Sequence, residues 1–268
     1  MAVYPYTAPR ALDGIGVLVT RPAHQAGALI QMIEAAGGHA RHVPMVEIVA
    51  LSDPGPLTAL IDRLEHFDFA VFISPNAVQH GVALIQARRA WPANVKIAGV
   101  GPGTAKALAE FGHNDVLTPL TCFSSEGLLE REEFQQVAGK RIVIFRGNGG
   151  RELLATVLRE RGARVEYAEC YHRRPAAIDA DALRRLWTER ALHIVTAASP
   201  DALRHLVAAM GDAGRASLLA TPLVVVSSRM AAIARELGFS AAVLTARDAG
   251  DTAVVEALEA WRRSRISL

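Results

Sequence analysis

Six short stretches set small hydroxyl residues, glycines and arginines at corresponding points of the chain: Thr20-Arg21-Pro22, Ser74-Pro75-Asn76, GVGPGT over 99–104, Arg146-Gly147-Asn148, Ala198-Ser199-Pro200 and Ser227-Ser228-Arg229. Each follows an apolar run of strand length and leads into a segment of helical period. Main-chain N–H groups and the positive end of a helix meet at such places, so an anion can be held without a dedicated charged side chain. Taken singly, each is also an ordinary helix N-cap. Their recurrence at six strand ends of a duplicated chain weighs against capping alone and for anion binding. Tyr171 stands apart, in the extended stretch 168–175 (AECYHRRP). A phenol can act as a proton donor; the competing reading is a ring packed beneath the strand.

Other chemistries are poorly supplied. GVGPGT is an incomplete dinucleotide loop: Pro102 lies inside it, Thr104 stands where a third glycine belongs, and no acidic residue follows at the required distance. Neither a phosphate-binding GxxxxGK[ST] nor a nucleophile GxSxG is present. The nine histidines are scattered, with only His172 beside a residue of interest. Glu47 and Glu169 lie near the extended stretches, and Asp53, Asp248 and Asp251 in loops, but no spacing forces two carboxylates together. The two cysteines, Cys122 and Cys170, lack metal-ligand spacing, so no metal site is expected and a reduced, cytoplasmic compartment is the simplest reading. A net charge of +2 is too mild for nucleic acid and suits an acidic small molecule. The first 14 residues, MAVYPYTAPRALDG, have no signal-peptide pattern and read as a mobile tail, and no apolar run reaches membrane-spanning length.

The elements that must position these residues occur twice. Gly14, Arg21, Gly37 and Ser74 recur as Gly139, Arg146, Gly162 and Ser199, all 125 positions on (139−14, 146−21, 162−37, 199−74). Farther along the offset slips by one or two, where GVGPGTAKALAEFG faces VVSSRMAAIARELGF. Apolar strands such as GVLVT, FAVFIS, KIAGVG, RIVIFR, LHIVTAAS and LVVVS alternate with amphipathic helices such as HQAGALIQMIEAAG, LTALIDRLEHF and DALRHLVAAM. Strands apolar without alternation are buried on both faces, which predicts parallel sheets wrapped by helices. The 268 residues suit two such α/β lobes, with a cleft between them as the default ligand site. The stretches 44–50 and 168–175 occupy equivalent places and read as linkers or as a paired two-strand connection. Whether each repeat folds alone or exchanges its first strand, helix and second strand is left open by the pattern.

The set LVTRP from Leu18, FISPNAV from Phe72, GVGPGTAKAL from Gly99, SSEGLL from Ser124, FRGNGGRELL from Phe145, GARVEYAECYHR from Gly162 and TAASPDAL from Thr196 resembles the uroporphyrinogen-III synthase family from Gly14 to the C-terminus. The resemblance implies two flavodoxin-like parallel-sheet lobes joined by a two-stranded β-ladder, one built from 1–43 and 173–268, the other from 44–172 with the connecting strands. It implies a lyase that closes linear hydroxymethylbilane into uroporphyrinogen III, with loss of water and inversion of the last pyrrole ring, using no cofactor and no metal. Tyr171 matches the tyrosine that assists departure of the hydroxyl. Ser74, Thr104, Arg151 and Ser199 match cleft-lining positions, with Arg21, Asn76, Gly101, Arg146, Gly147 and Thr196 as neighbours. Where relatives carry a G-P-T-T-like turn this chain has Ser227-Ser228-Arg229-Met230, so Ser228 and Arg229 take the place of a hydroxyl contact. The implied partners are the tetrapyrrole substrate and, transiently, the enzyme that supplies it. Neither nucleic acid nor membrane is among them, and the chain is expected to be a monomer. A non-catalytic tetrapyrrole sensor on the plan of two-lobed solute-binding proteins, or a nucleotide-dependent transferase using GVGPGT, would share much of this pattern.

Overall fold

The computed structural model describes residues 10–266 apart from Thr121 and Arg151. The chain runs β1 (Gly16–Val19), α1 (Ala23–Ala35), β2 (His39–His42), β3 (Val46–Ala50), α2 (Gly55–Ile61), β4 (Phe69–Phe72), α3 (Pro75–Arg88), β5 (Lys96–Gly99), α4 (Pro102–Glu110), β6 (Val116–Leu117), α5 (Ser125–Leu129) and α6 (Glu132–Gln135). It continues with β7 (Arg141–Gly147), α7 (Leu153–Glu160), β8 (Arg164–Pro175), α8 (Ala180–Thr188), β9 (Ile194–Ala197), α9 (Pro200–Leu219), β10 (Leu223–Val225), α10 (Ser228–Glu236), β11 (Val243–Thr245) and α11 (Asp251–Ile266).

The strands form a five-stranded sheet ordered β11-β10-β9-β1-β2 and a six-stranded sheet ordered β3-β8-β7-β4-β5-β6. The ladders among β1, β2, β9, β10 and β11, and among β4 to β8, are parallel. The repeat explains both orders. At the same offset of 125, β1 (16–19) corresponds to the start of β7 (141), β2 (39–42) to the start of β8 (164), and β4 (69–72) to β9 (194–197). Substituting each strand's equivalent turns β11-β10-β9-β1-β2 into β6-β5-β4-β7-β8. The first strand-helix-strand of each copy has therefore changed places with that of the other. One compact unit takes the chain up to Glu47 and from Arg174; the other takes Ile48–Arg173.

Burial accounts for the unbroken apolar strands. In the second unit Ala70, Phe72, Val143 and Phe145 enter one core with Val82, Ile85 and Leu108, whereas Phe69, Val71, Ile142 and Ile144 enter another with Phe134, Leu154 and Leu158. Alternate residues thus leave water on opposite faces, and each such side chain contributes about 1.5–3 kcal/mol. Phe72 and Phe145 are register partners whose rings stack with centroids 4.5 Å apart. The first unit closes over Val17, Val19, Leu29, Ile33, Ile194, Leu258 and Trp261.

Several expectations from sequence are refined. The two extended stretches are paired: β3 lies beside β8, the Ala176 N–H donates to the Met45 carbonyl at 3.3 Å, and Arg174 meets Glu47 at 3.0 Å. The chain passes between the units within these two strands, at 47–48 rather than at 43–44 and at 173–174. The helix read over LTALIDRLEHF ends at Ile61 and resumes as a single 3₁₀ turn, Leu64–His66. The helix read over DALRHLVAAM continues to Leu219 across a kink at Gly211 (φ 57°, ψ −172°). The mobile-tail reading fails for residues 10–14: Leu12 is fully buried in the first unit's core, and its N–H donates to Ala36 O at 2.9 Å. The rest of that reading, residues 1–9, lies outside the described residues. Among the described residues no helix is long and apolar enough to cross a membrane.

Candidate active site

In the second unit the carboxyl ends of β4, β5, β7 and β8 gather Ser74, Asn76, Gly101, Thr104, Arg146, Gly147 and Tyr171. Ser74 is the N-cap of α3: its hydroxyl accepts from the Ala77 N–H at 3.1 Å and lies 3.1 Å from the Tyr171 hydroxyl. α3 and α4 both begin with proline, which lacks an N–H, so Asn76 and Gly103 supply the first donors of these helices. The two helix starts adjoin, since a Cβ on Gly103 would stand 3.6 Å from Pro75 Cγ. Gly101 is the N-cap of α4, and Asn76 and Thr104 are buried in the first turns.

Tyr171 is 3% exposed and belongs to the same core as Phe72 and Phe145. It faces that core because of a β-bulge. Arg146 pairs with Glu169 but Gly147 pairs with Tyr171, which leaves Cys170 as the extra residue. Uninterrupted alternation would send Tyr171 to the face of Tyr167 and Glu169; the bulge re-aims it to the face of Ala168 and Cys170. The ring then fills the space where a side chain of residue 147 would stand: a Cβ there would lie 2.5 Å from Tyr171 Cε2 and 2.7 Å from Cζ. His80 lies alongside, with ring centroids 5.5 Å apart. The ring is thus packed beneath the strand, as one of the two readings has it, and its hydroxyl lies beside the Ser74 cap.

Arg146 is placed differently from a solvent-facing anion contact. Its side chain is 2% exposed. Nη1 donates to Glu152 Oε1 at 2.9 Å, Nε donates to the Gly147 carbonyl at 3.2 Å, and the guanidinium carbon sits 4.4 Å over the Tyr167 ring. The Tyr167 hydroxyl donates to Glu152 Oε2. That bond, then Arg146, hold the Glu152 carboxyl below the usual carboxylate range, while burial and then Glu152 raise the Tyr167 phenol. Arg151 lies outside the described residues.

The first unit carries the equivalent set at the ends of β1, β9 and β10. Ser199 caps α9 and accepts from the Ala202 N–H at 3.1 Å, as Ser74 does for α3. Arg21, the counterpart of Arg146, is ion-paired with Asp251 and donates to Ala249 O at 2.8 Å. Thr196 is buried and its hydroxyl donates to Leu18 O at 3.0 Å, joining β9 to β1. In the divergent turn Ser227 is the cap of α10, accepting from Met230 N at 3.3 Å, so Ser228 and Arg229 are exposed first-turn residues. The duplication is unequal at two places. Tyr171 answers to Val46 (171−46 = 125), and Thr104 to the buried Met230 (230−104 = 126).

Glu152 and Tyr167 were not singled out from sequence because an acid before a helix and an aromatic residue in a strand are ordinary. Nor were Leu120 and Phe123, the exposed large apolar side chains, 78% and 54% accessible, in the loop between β6 and α5. Phe123 borders the site, its Cβ 3.6 Å from where a Gly101 Cβ would be. Periodicity finds apolar residues in helices and strands and is blind to those in loops. Among the described residues no three His, Cys, Asp or Glu side chains are grouped to hold a metal ion.

Cys170, at the bulge, donates to Ala168 O at 3.2 Å, and burial pushes its thiol up to about 12. Since the thiolate is the nucleophile, iodoacetamide at pH 8 is expected to label the exposed Cys122 and spare Cys170 in the native protein. Both should react in denaturant. Two adducts on the folded protein by mass spectrometry would contradict the closed packing around the bulge.

A family model described as uroporphyrinogen-III synthase HemD matches residues 27–253. The uroporphyrinogen-III synthase of Salmonella typhimurium is 35% identical over 247 residues, covering 91% of this chain and 100% of its own length. That of Escherichia coli K12 is 34% identical over 251 residues, with 91% and 100% covered. Among solved structures, a mutant uroporphyrinogen III synthase from the extremely thermophilic bacterium Thermus thermophilus superposes with a TM-score of 0.65 at 16% identity, over 95% of this chain and 100% of that one. The uroporphyrinogen-III synthetase of Helicobacter pylori gives a TM-score of 0.56 at 16% identity, over 92% and 99%. At such identities the structures speak for the two-lobed α/β fold.

Proposed function

The chain belongs to the uroporphyrinogen-III synthase family, enzymes of porphyrin biosynthesis, and on that premise we propose that it converts hydroxymethylbilane to uroporphyrinogen III as a cyclising lyase. The observation that carries the mechanism is the inequality of the duplicated strand ends. Ser74 and Ser199 are matched as caps, and Arg21 and Arg146 as ion-paired arginines, but among the described residues the second unit alone adds a phenol to its cap.

The Ser74 oxygen accepts from the Ala77 N–H and lies 3.1 Å from the Tyr171 oxygen. In the arrangement proposed for the reaction, Ser74 donates its own proton to that oxygen. The Tyr171 proton is then aimed outward, and the chain from helix N–H to serine to phenol strengthens each donor in turn. In the proposed reaction this proton goes to the departing hydroxyl as the carbon–oxygen bond breaks, and water leaves. The cation left behind is stabilised by the pyrrole nitrogen. For the last ring to be inverted, this cation bonds the already substituted α-carbon of that ring, and the ring's bond to its old methylene breaks. The methylene cation so freed bonds the ring's open α-carbon, releasing one proton that restores the phenol. The net change is loss of water and ring closure.

The substrate's acetates and propionates call for several anion contacts. Asn76, Gly101 and Thr104 at the α3 and α4 starts are proposed for this, with Arg21, Ser199, Ser228 and Arg229 of the first unit and Thr196, whose hydroxyl proton goes to Leu18 O, as support of the β9 end. Arg151 is proposed on the family resemblance alone. Phe123 and Leu120 offer apolar surface for a pyrrole face. Because the linear substrate closes unaided to the uninverted isomer, holding one conformation is the larger task, which suits a site rich in positioning donors.

The test is an isomer assay. Protein stripped of metal and nucleotide is mixed with freshly generated hydroxymethylbilane, and the oxidised products are separated. Type III uroporphyrin should dominate. Type I in the proportion of the buffer control would overturn the assignment and favour a binding protein; activity only with added nucleotide would favour a transferase.

A further inference from the structure

The bulge that aims Tyr171 is clasped from the opposite face of the sheet. Arg146 lies on that face with Tyr167, which pairs with the core residue Ile144 and packs, like Val165, against the same core. Glu152, immediately before α7, uses both carboxylate oxygens: Oε1 accepts from Arg146 and Oε2 from the Tyr167 hydroxyl. Arg146, stacked on the Tyr167 ring and gripped at Nη1, spends Nε on the carbonyl of Gly147. Gly147 faces the bulge from the neighbouring strand, and the Tyr171 ring rests against it. Three side chains therefore lock one peptide, and that peptide sets where the phenol stands.

We propose that Glu152 is a positioning residue for the reaction, acting through Arg146 and the Gly147 carbonyl to hold Tyr171 against Ser74. Arg146 on this account is the arm of the clasp, and its buried charge is matched inside the unit. The inference rests on the reading in which Tyr171 takes part in the chemistry. Its geometry explains an otherwise odd arrangement, a nearly buried arginine paired with a carboxylate whose side chain is 56% exposed. An exposed carboxylate gains little from an ordinary surface pair, whereas one that fixes a bulge sets an active-site angle.

The test uses Glu152→Gln, which keeps the shape and removes the charge, together with Tyr167→Phe, which removes only the hydroxyl bond to Glu152. With hydroxymethylbilane, Glu152→Gln is expected to lower kcat about tenfold with KM within about twofold, because a misplaced donor weakens the transition state and not ground-state binding. Tyr167→Phe should lower kcat about threefold in the same sense. In protein carrying ¹³C-labelled tyrosine rings, the Tyr171 signal, assigned by its loss in Tyr171→Phe, should shift in both variants without substrate. In a Tyr171→Phe background Glu152→Gln should have no further effect on kcat. An unmoved Tyr171 signal with unchanged kcat in both variants overturns the inference, as does a rise in KM alone, which would make Arg146 a substrate contact. A shifted signal with Tyr171→Phe itself fully active would instead retain the positioning and refute the role of the phenol.

Discussion

Replacing Tyr171 by phenylalanine is expected to lower turnover by roughly 10²-fold or more, the usual scale for a general acid, while thermal stability hardly changes. The ring keeps its bed against Gly147, its neighbour His80 and its place in the core. What disappears is the hydroxyl, and with it the 3.1 Å contact to Ser74. Ser74 still accepts from the Ala77 N–H, so α3 retains its cap. The structural loss is one hydrogen bond, a net effect of about 1 kcal/mol. Rates and isomer ratios with hydroxymethylbilane, measured beside a thermal melt, separate the two effects. A Tyr171→Phe enzyme with near-normal rate and near-pure type III product would leave positioning as the whole account of catalysis.

Gly147→Ala is expected to cost at least as much activity as Tyr171→Phe and, unlike it, to lower the melting temperature. A Cβ at this site would meet Tyr171 Cε2 at 2.5 Å, Cζ at 2.7 Å and Cδ2 at 3.1 Å. Real contacts do not close to such distances, so the ring or the bulge has to move. Neither moves cheaply, because the bulge is tied by Arg146 and continues into the bond from Asn148 N to Tyr171 O at 3.1 Å. Overpacking of this kind costs about 1–3 kcal/mol of stability. The double variant Gly147→Ala with Tyr171→Phe should be little worse than the worse single, since both act on one hydroxyl. Full activity and an unchanged melt in Gly147→Ala would show that the ring is free to settle elsewhere, and would remove the bulge from the mechanism.

Much of the architecture was legible because it is periodic. Strands such as FAVFIS and RIVIFR are apolar at every position, which burial on both faces requires, and the structure sends Phe72 and Phe69 to different cores. The 125-residue offset marked equivalent strands but not their exchange, since β1 buries the same residues beside either copy's β4-like strand. Non-periodic features stayed hidden. Gly211 reads as a helix end and is a kink within α9, and Leu12 reads as tail although it fills a core. At the site, Ser74 and Ser199 were visible as caps because capping is local chemistry. The partners of Arg21 and Arg146 were not, since Asp251 lies 230 residues from Arg21 and Glu152 looks like any acid at a helix start. The bulge at Cys170 had no signature at all: alternation assigns Tyr171 to the wrong face, and one unpaired residue reverses it.

The exchanged strand-helix-strand also dictates an order of events during synthesis. The unit over Ile48–Arg173 is a continuous stretch of chain and has all its strands from β4 to β8 once residue 173 has emerged. The other unit is built from stretches on both sides of it. β1 lies between β2 and β9 in its sheet, and the bond from the Gly16 N–H to His193 spans 177 residues. At roughly 5–20 residues per second of translation, the apolar GVLV strand waits about 9 to 35 s for β9. A ribosome-bound chain thus holds a finished middle and a β1 paired with β2 alone, whose other edge is covered only after the whole middle unit has been made.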